Sequence, residues 1–213
     1  MNPAELLPTL EKDGIVLIPR GKVGNEEKYL KDLISALRPR HTEMSTLFPT
    51  DQSEARPNTL SAEHGLGEFP AHTDSVTRRV PPRYLILFMR EPRQAKTKLY
   101  SLPRITKSIQ KSAIRAIFNT SIKHRAFPTP FIIRSDKGNL IYRYNPDVME
   151  PVNDEAAEVA SAIKKANSSP DSLVDWTEFQ FAIFDNWKFL HGREPAEADA
   201  PPMVRSAVWV LDQ

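Results

Sequence analysis

Two imidazoles, one carboxylate and one guanidinium stand out among the 213 residues as a set able to do chemistry together. His72 and Asp74 lie two apart in Phe69-Pro70-Ala71-His72-Thr73-Asp74. His191 lies in Asp185-Asn186-Trp187-Lys188-Phe189-Leu190-His191-Gly192-Arg193, and Arg205 follows at a spacing of 14 residues. Side chains two apart in an extended segment share a face. His72 and Asp74 can therefore reach one ion from the end of a strand, with His191 joining from a strand remote in sequence. Two His and one carboxylate on one face of an octahedron leave three positions open, which suits ferrous iron that must hold other ligands as well. Taken singly, His72 and Asp74 read as a turn-capping pair and His191 as a satisfied core histidine. Cysteine is absent, so disulfides and thiolate metal sites are excluded and any metal must use His and carboxylate.

The elements that must position these groups follow from pattern. Forty per cent apolar and 26 per cent charged residues describe an ordinary globular chain, long enough for one well-filled core, and one domain over 1–213 is expected. A net charge of +2 with no basic run interleaved with aromatics argues against a nucleic-acid partner. No apolar stretch approaches a membrane span, and no basic start followed by an apolar stretch marks a secretory signal, so a cytoplasmic protein is expected. Nineteen prolines against seven glycines predict fixed loop corners. Strands are predicted at Gly14–Pro19, Arg83–Met89, Phe179–Phe184 and Ser206–Leu211, with a hairpin whose arms flank Ser135-Asp136-Lys137-Gly138-Asn139. Helical spacing predicts helices over 25–37, over 105–117 (Ile105, Ile109, Ala113, Ala116, Ile117), and from Ala156 onward, the last capped by Asn153 or Asp154. Residues 50–70 read as an irregular excursion. Short strands without a βαβ rhythm predict a mostly β fold with flanking helices, a double-sheet jelly roll.

The motifs around the ligands resemble the taurine dioxygenase and clavaminate synthase-like family of Fe(II)/2-oxoglutarate-dependent oxygenases. The resemblance rests on Phe69 to Asp74 followed by Pro81-Pro82-Arg83-Tyr84-Leu85, and on the Asp185–Arg193 string with its Leu-His-Gly-Arg end. It runs from about Gly14 to the C-terminus. It implies a distorted double-stranded β-helix, cupin-like, with Fe(II) and 2-oxoglutarate as cofactors. It implies that His72, Asp74 and His191 bind the iron, and that Arg205 grips the distal carboxylate of 2-oxoglutarate, for which a planar guanidinium fork is well shaped. Thr97 stands where the family places a co-substrate hydroxyl, and Arg193 is expected to pair with the co-substrate or brace its loop. Dioxygen and a small molecule would be the substrates, with hydroxylation of a C–H bond the expected outcome. Asp74 argues against halogenation, because related halogenases place a small residue there.

Other residues carry weaker signals. His64 precedes the metal strand and could line the pocket mouth; His41 and His124 have no partner spacing. Arg143 could face the site or pair with Asp147. Arg78, Arg79 and Arg83 form a basic cluster just after the ligands. Asn186 and Trp187 read as groups that orient His191. The chain is short for the resembled family and lacks a Pro-Gly-Asp turn around Asp175. Two rivals stay open: a zinc hydrolase using the same three ligands, and a non-catalytic jelly roll that binds without turnover.

Overall fold

The computed structural model describes residues 1–57, 59–122 and 125–210. Helix α1 (Leu7–Asp13) stops at Gly14, whose φ of +77° only glycine adopts without strain, and the chain passes straight into β1 (Ile15–Pro19). Asn25 caps α2 (Glu26–Ala36) by accepting from the Lys28 N–H, as its position before a periodic run predicts. Then come β2 (Pro39–Leu47), α3 (Leu60–His64), β3 (Phe69–His72), β4 (Tyr84–Phe88) and β5 (Thr97–Ser101). Next are α4 (Leu102–Ile105), α5 (Gln110–Arg115), β6 (Ile117–Ile122), β7 (Arg125–Pro130), β8 (Ile132–Arg134), β9 (Leu140–Tyr142) and β10 (Met149–Pro151). The last elements are α6 (Asp154–Ala166), capped by Asn153, β11 (Ser172–Val174), β12 (Phe179–Asp185), β13 (Phe189–Arg193) and β14 (Met203–Val210).

Among the described residues these strands form a five-stranded sheet in the order β1-β12-β4-β14-β2 and a four-stranded sheet in the order β11-β5-β13-β3, with every pairing antiparallel. The two sheets face each other. Leu85, Leu87, Ala182, Phe184 and Ala207 of the larger sheet share one core with Leu99, Val174 and Phe189 of the smaller. The opposite face of the larger sheet (Ile86, Phe88, Phe181, Ile183, Val208) is sealed by Leu10 of α1 and by Leu30 and Leu33 of α2. The outer face of the smaller sheet (Ala71, Tyr100, Leu190) packs on a third layer that includes Phe118, Phe131, Val159 and Ile163. The fold is thus the mostly β double-stranded jelly roll with flanking helices.

One predicted helix is corrected. The run over 105–117 is not one helix but α4, a 3₁₀ turn and α5, and Ile117 already belongs to β6. Pro103 and the Ser101 cap start the first piece, while the Thr106 hydroxyl donates to the Leu102 carbonyl. The stretch over 50–70 is not wholly irregular, since Thr59 caps the short α3. Of the predicted residues, His124 and Leu211 lie outside the described part.

Candidate metal centre

The Leu-His-Gly-Arg segment is β13, and it lies between β5 and β3. His191 sits directly opposite His72 across the β13–β3 pair, with ring centroids 4.3 Å apart. Gly192 permits this approach: a Cβ there would fall 2.8 Å from the Phe69 carbonyl oxygen. The register slips between His191 and Arg193 at that point.

β3 ends at His72, and the chain is then turned deliberately. The Thr73 N–H donates to the Tyr144 carbonyl (2.7 Å), and the Thr73 hydroxyl accepts from the Tyr144 N–H (3.1 Å). Ser75 follows in the left-handed region, with φ of +55°. Asn186 accepts from the Asp74 N–H (3.0 Å) and donates to the Pro82 carbonyl (2.9 Å); Trp187 donates from its indole to the Pro81 carbonyl (3.0 Å). These two residues therefore clamp both ends of the 74–82 loop. The expectation that they orient His191 is corrected: their side chains hold the loop that carries Asp74.

The result is that His72, Asp74 and His191 bring one ligand atom each to within 4.8 Å of one another. His72 Nδ1 lies 2.8 Å from the Pro70 carbonyl, so the N–H belongs on that nitrogen and Nε2 is left as the lone-pair donor. His191 Nδ1 is buried without a hydrogen-bond partner. Burial, with the neighbouring His72, pushes the His191 imidazole down to about 3 against a weaker opposing pull from Asp74, so the ring stays neutral as a metal ligand must. Burial alone would raise the Asp74 carboxyl, but Arg205 and the two imidazoles carry it below its usual range. An ionised carboxylate, a neutral imidazole and a second ring with a free lone pair, converging at one point, form a donor set that fits a divalent metal.

Arg205 reaches this point from the other sheet. It pairs with Leu87 of β4 and Ser45 of β2, on the inward face shared with Leu85 and Ala207. Its Nη1 donates to Asp74 Oδ2 at 2.7 Å. Its Nε is buried without a partner, and so is the hydroxyl of Ser45 opposite it. Sequence reasoning passed over Ser45; only the strand register places it here.

Thr97 and Arg193 face each other across β5 and β13. The Thr97 hydroxyl accepts from the buried indole of Trp176 (3.1 Å), which the segment around Asp175 supplies. Arg193 lies over the Phe69 ring, 3.8 Å from its centroid, and donates Nη2 to the carbonyls of Gly65 and Gly67. His64 stays outside the metal trio and lies 2.9 Å from an Asp147 oxygen, which ties α3 to the 145–148 segment. Arg143 therefore does not hold Asp147; it donates to the Pro130 carbonyl. The basic cluster after the ligands disperses: Arg78 goes to Glu43 and the Trp209 ring, Arg83 to Asp185 and the Tyr84 and Trp187 rings. A cleft of about 490 Å³ lies elsewhere, between α1, the end of α2 and Arg83, and no metal-trio residue lines it.

No protein-family model and no curated protein sequence matches the chain. Solved structures do. An asparagine oxygenase in complex with Fe(II), 2S,3S-3-hydroxyasparagine and succinate superposes with a TM-score of 0.68 at 16% identity, over 98% of this chain and 77% of that one. The non-haem iron oxygenase OrfP in complex with Fe and alpha-ketoglutaric acid gives 0.67 at 17% identity, over 98% and 79%. PvcB of Pseudomonas aeruginosa gives 0.66 at 17%, over 97% and 80%. The chain has the fold of these oxygenases. At such identities the likeness is one of fold, and the chemistry must come from the residues just described. Among the described residues no helix is long and apolar enough to cross a membrane.

Proposed function

We propose that this chain is an Fe(II)- and 2-oxoglutarate-dependent dioxygenase that hydroxylates a C–H bond of a small polar or anionic substrate and releases succinate and CO2. The observation that carries this reading is the convergence of His72, Asp74 and His191 within 4.8 Å with the Arg205 guanidinium on Asp74. Iron with 2-oxoglutarate and dioxygen would supply the oxidising power for the C–H bond. His72, Asp74 and His191 would hold the metal, and three protein ligands would leave coordination positions free for small molecules.

Arg205 spends one Nη1 on Asp74 and keeps a buried, unpartnered Nε. That spare donor suits the distal carboxylate of 2-oxoglutarate. Thr97 would donate its hydroxyl proton to a co-substrate carboxylate, since the Trp176 indole takes only one lone pair of that oxygen. The Trp176–Thr97 contact fixes the orientation of that hydroxyl. The solved neighbours include complexes with hydroxylated asparagine and arginine, so amino acids form the first substrate panel.

The test is 2-oxoglutarate consumption by the Fe(II)-reconstituted protein, read as succinate released when amino acids and small acids are added one at a time. Substrate-triggered succinate release supports the reading. A protein that retains zinc and releases no succinate is the hydrolase instead. One that binds no metal is a non-catalytic jelly roll.

A further inference from the structure

Ser45 buries a hydroxyl that no described residue answers. It lies on β2, at the edge of the larger sheet, where a serine ordinarily turns its Oγ to water. Here the Oγ is sealed from solvent and has no hydrogen-bond partner. Buried hydroxyls are mostly bonded, because losing water without a replacement is costly. The β14–β2 register pairs Ser45 with Arg205, so both side chains leave the sheet on the same face. That face is the inward one: Met203 and Ala207, two residues to either side of Arg205, belong to the core between the sheets. Arg205 carries a second such orphan, its buried Nε. Two unanswered polar atoms therefore stand on one cross-strand pair, and they do not bond each other.

The acids nearby are engaged. Glu43, next on the inward face of β2, accepts from Arg78 at 2.7 Å and lies 3.2 Å from His41. Asp74 accepts from Arg205 Nη1 at 2.7 Å, which sets the Ser45–Arg205 pair beside the metal trio. Arg205 Nε can only donate, and the Ser45 hydroxyl has a proton to give. A group that accepts from both at once, and answers a guanidinium, has two oxygens on one carbon and a negative charge. That describes a carboxylate and excludes an ammonium. A carboxylate has about four lone-pair sites, so a further hydroxyl from Thr97 is accommodated as well.

We propose that Ser45 and Arg205 form a two-residue clip for one carboxylate of a small molecule held at the metal trio, with Ser45 fixing the oxygen that Arg205 does not. The identity of that group as the distal carboxylate of 2-oxoglutarate rests on the oxygenase reading. The clip itself rests on the register and the two buried donors.

The test measures binding to Mn(II)-loaded protein by calorimetry, without turnover. Ser45→Thr and Ser45→Val have nearly the same side-chain volume, and only the first keeps a hydroxyl. 2-Oxoglutarate is compared with 2-oxobutyrate, which has the same keto acid end and no distal carboxylate. Ser45→Val weakens 2-oxoglutarate about tenfold and leaves 2-oxobutyrate unchanged, while Ser45→Thr binds both as wild type does. Ser45→Ala stands in should Ser45→Val fail to fold. An equal loss of both keto acids marks a displaced strand and overturns the proposal, as does 2-oxoglutarate binding that is the same in all the proteins. A loss confined to an amino-acid panel, titrated with 2-oxoglutarate saturating, overturns the assignment to co-substrate and gives the clip to the substrate's carboxylate. Should wild type bind no 2-oxoglutarate, the oxygenase reading is lost, and succinate added to metal-free protein decides the clip. A rise in melting temperature beyond that in chloride at equal ionic strength, lost in Ser45→Val and kept in Ser45→Thr, supports it; no such rise overturns it.

Discussion

The two faces of β4, β12 and β14 are built from alternate residues of the same strands and do opposite work. Outward, Ile86, Phe88, Phe181, Ile183 and Val208 share one apolar cluster with side chains of α1 and α2. Inward, Leu85, Leu87, Ala182, Phe184 and Ala207 begin the same way, but the row is broken by Arg205, which meets Asp74 coming from the smaller sheet. The outer face is held by area removed from water, which is non-directional and tolerant. The inner face has an apolar core of its own, but where Arg205 meets Asp74 it depends on donor and acceptor geometry, which is neither. Both faces therefore hold the scaffold, and the polar groups that could do chemistry gather on the inner one.

Substitutions on each face sharpen that contrast. The largest effect is expected at His191→Ala, which abolishes 2-oxoglutarate turnover and bound metal while changing unfolding free energy by no more than about 1 kcal/mol; a succinate assay, metal analysis and urea unfolding read the three quantities. Phe181→Ala should behave in the opposite way. It removes a fully buried ring stacked on Phe88 at 4.6 Å and costs about 3–5 kcal/mol in urea unfolding, while the molecules that remain folded still bind metal. If Phe181→Ala abolished metal binding at equal folded fraction, the division between faces would fail. Arg205→Ala removes a charge-assisted contact of about 1.5–3 kcal/mol and should raise the KM for 2-oxoglutarate roughly 10- to 100-fold. Asn186→Ala releases both ends of the 74–82 loop and should weaken metal binding by about tenfold, measured by competition with a chelating dye.

The remaining effect is on pH. The folded His191 value of about 3 lies below its ordinary 6.5, so over that window the unfolded chain takes up a proton that the native chain refuses. Stability of the metal-free protein is complete above pH 6.5 and falls as pH drops, by up to about 1.4 kcal/mol per unit from this group. Asp74, also depressed, adds a loss of the same sign at lower pH. Urea midpoints between pH 7 and pH 4 check the slope, and His191→Ala should flatten it.

Much of this was legible in the chain. The strands at Gly14–Pro19 and Phe179–Phe184 announced themselves by near-continuous apolar runs, and they pair with each other in the larger sheet. The Asn25 and Asn153 caps were visible because a short polar side chain before a periodic run has one obvious use. Less legible were β2, half-exposed and polar, and β6 and β7, whose prolines, threonines and charges mask an alternation set by tertiary neighbours. The helix over 105–117 failed for a related reason: spacing cannot report that Ile117 is claimed by β7 as a strand partner. Asn186 was recognised as important and given the wrong partner, since sequence proximity pointed to His191 while its hydrogen bonds go to Asp74 and Pro82.

The chain by itself determined which groups are available: imidazole and carboxylate at His72, Asp74 and His191 with no thiol anywhere, a guanidinium at Arg205, and a glycine at 192 small enough for two strands to crowd together. Those are matters of residue type and local spacing, and they survive in one dimension. Only the tertiary structure decided that Arg205 would meet Asp74 and that Ser45 would lie beside it. Desolvation and charge pairing depend on neighbours brought in from remote parts of the chain, and those neighbours exist only after the two sheets have closed on each other.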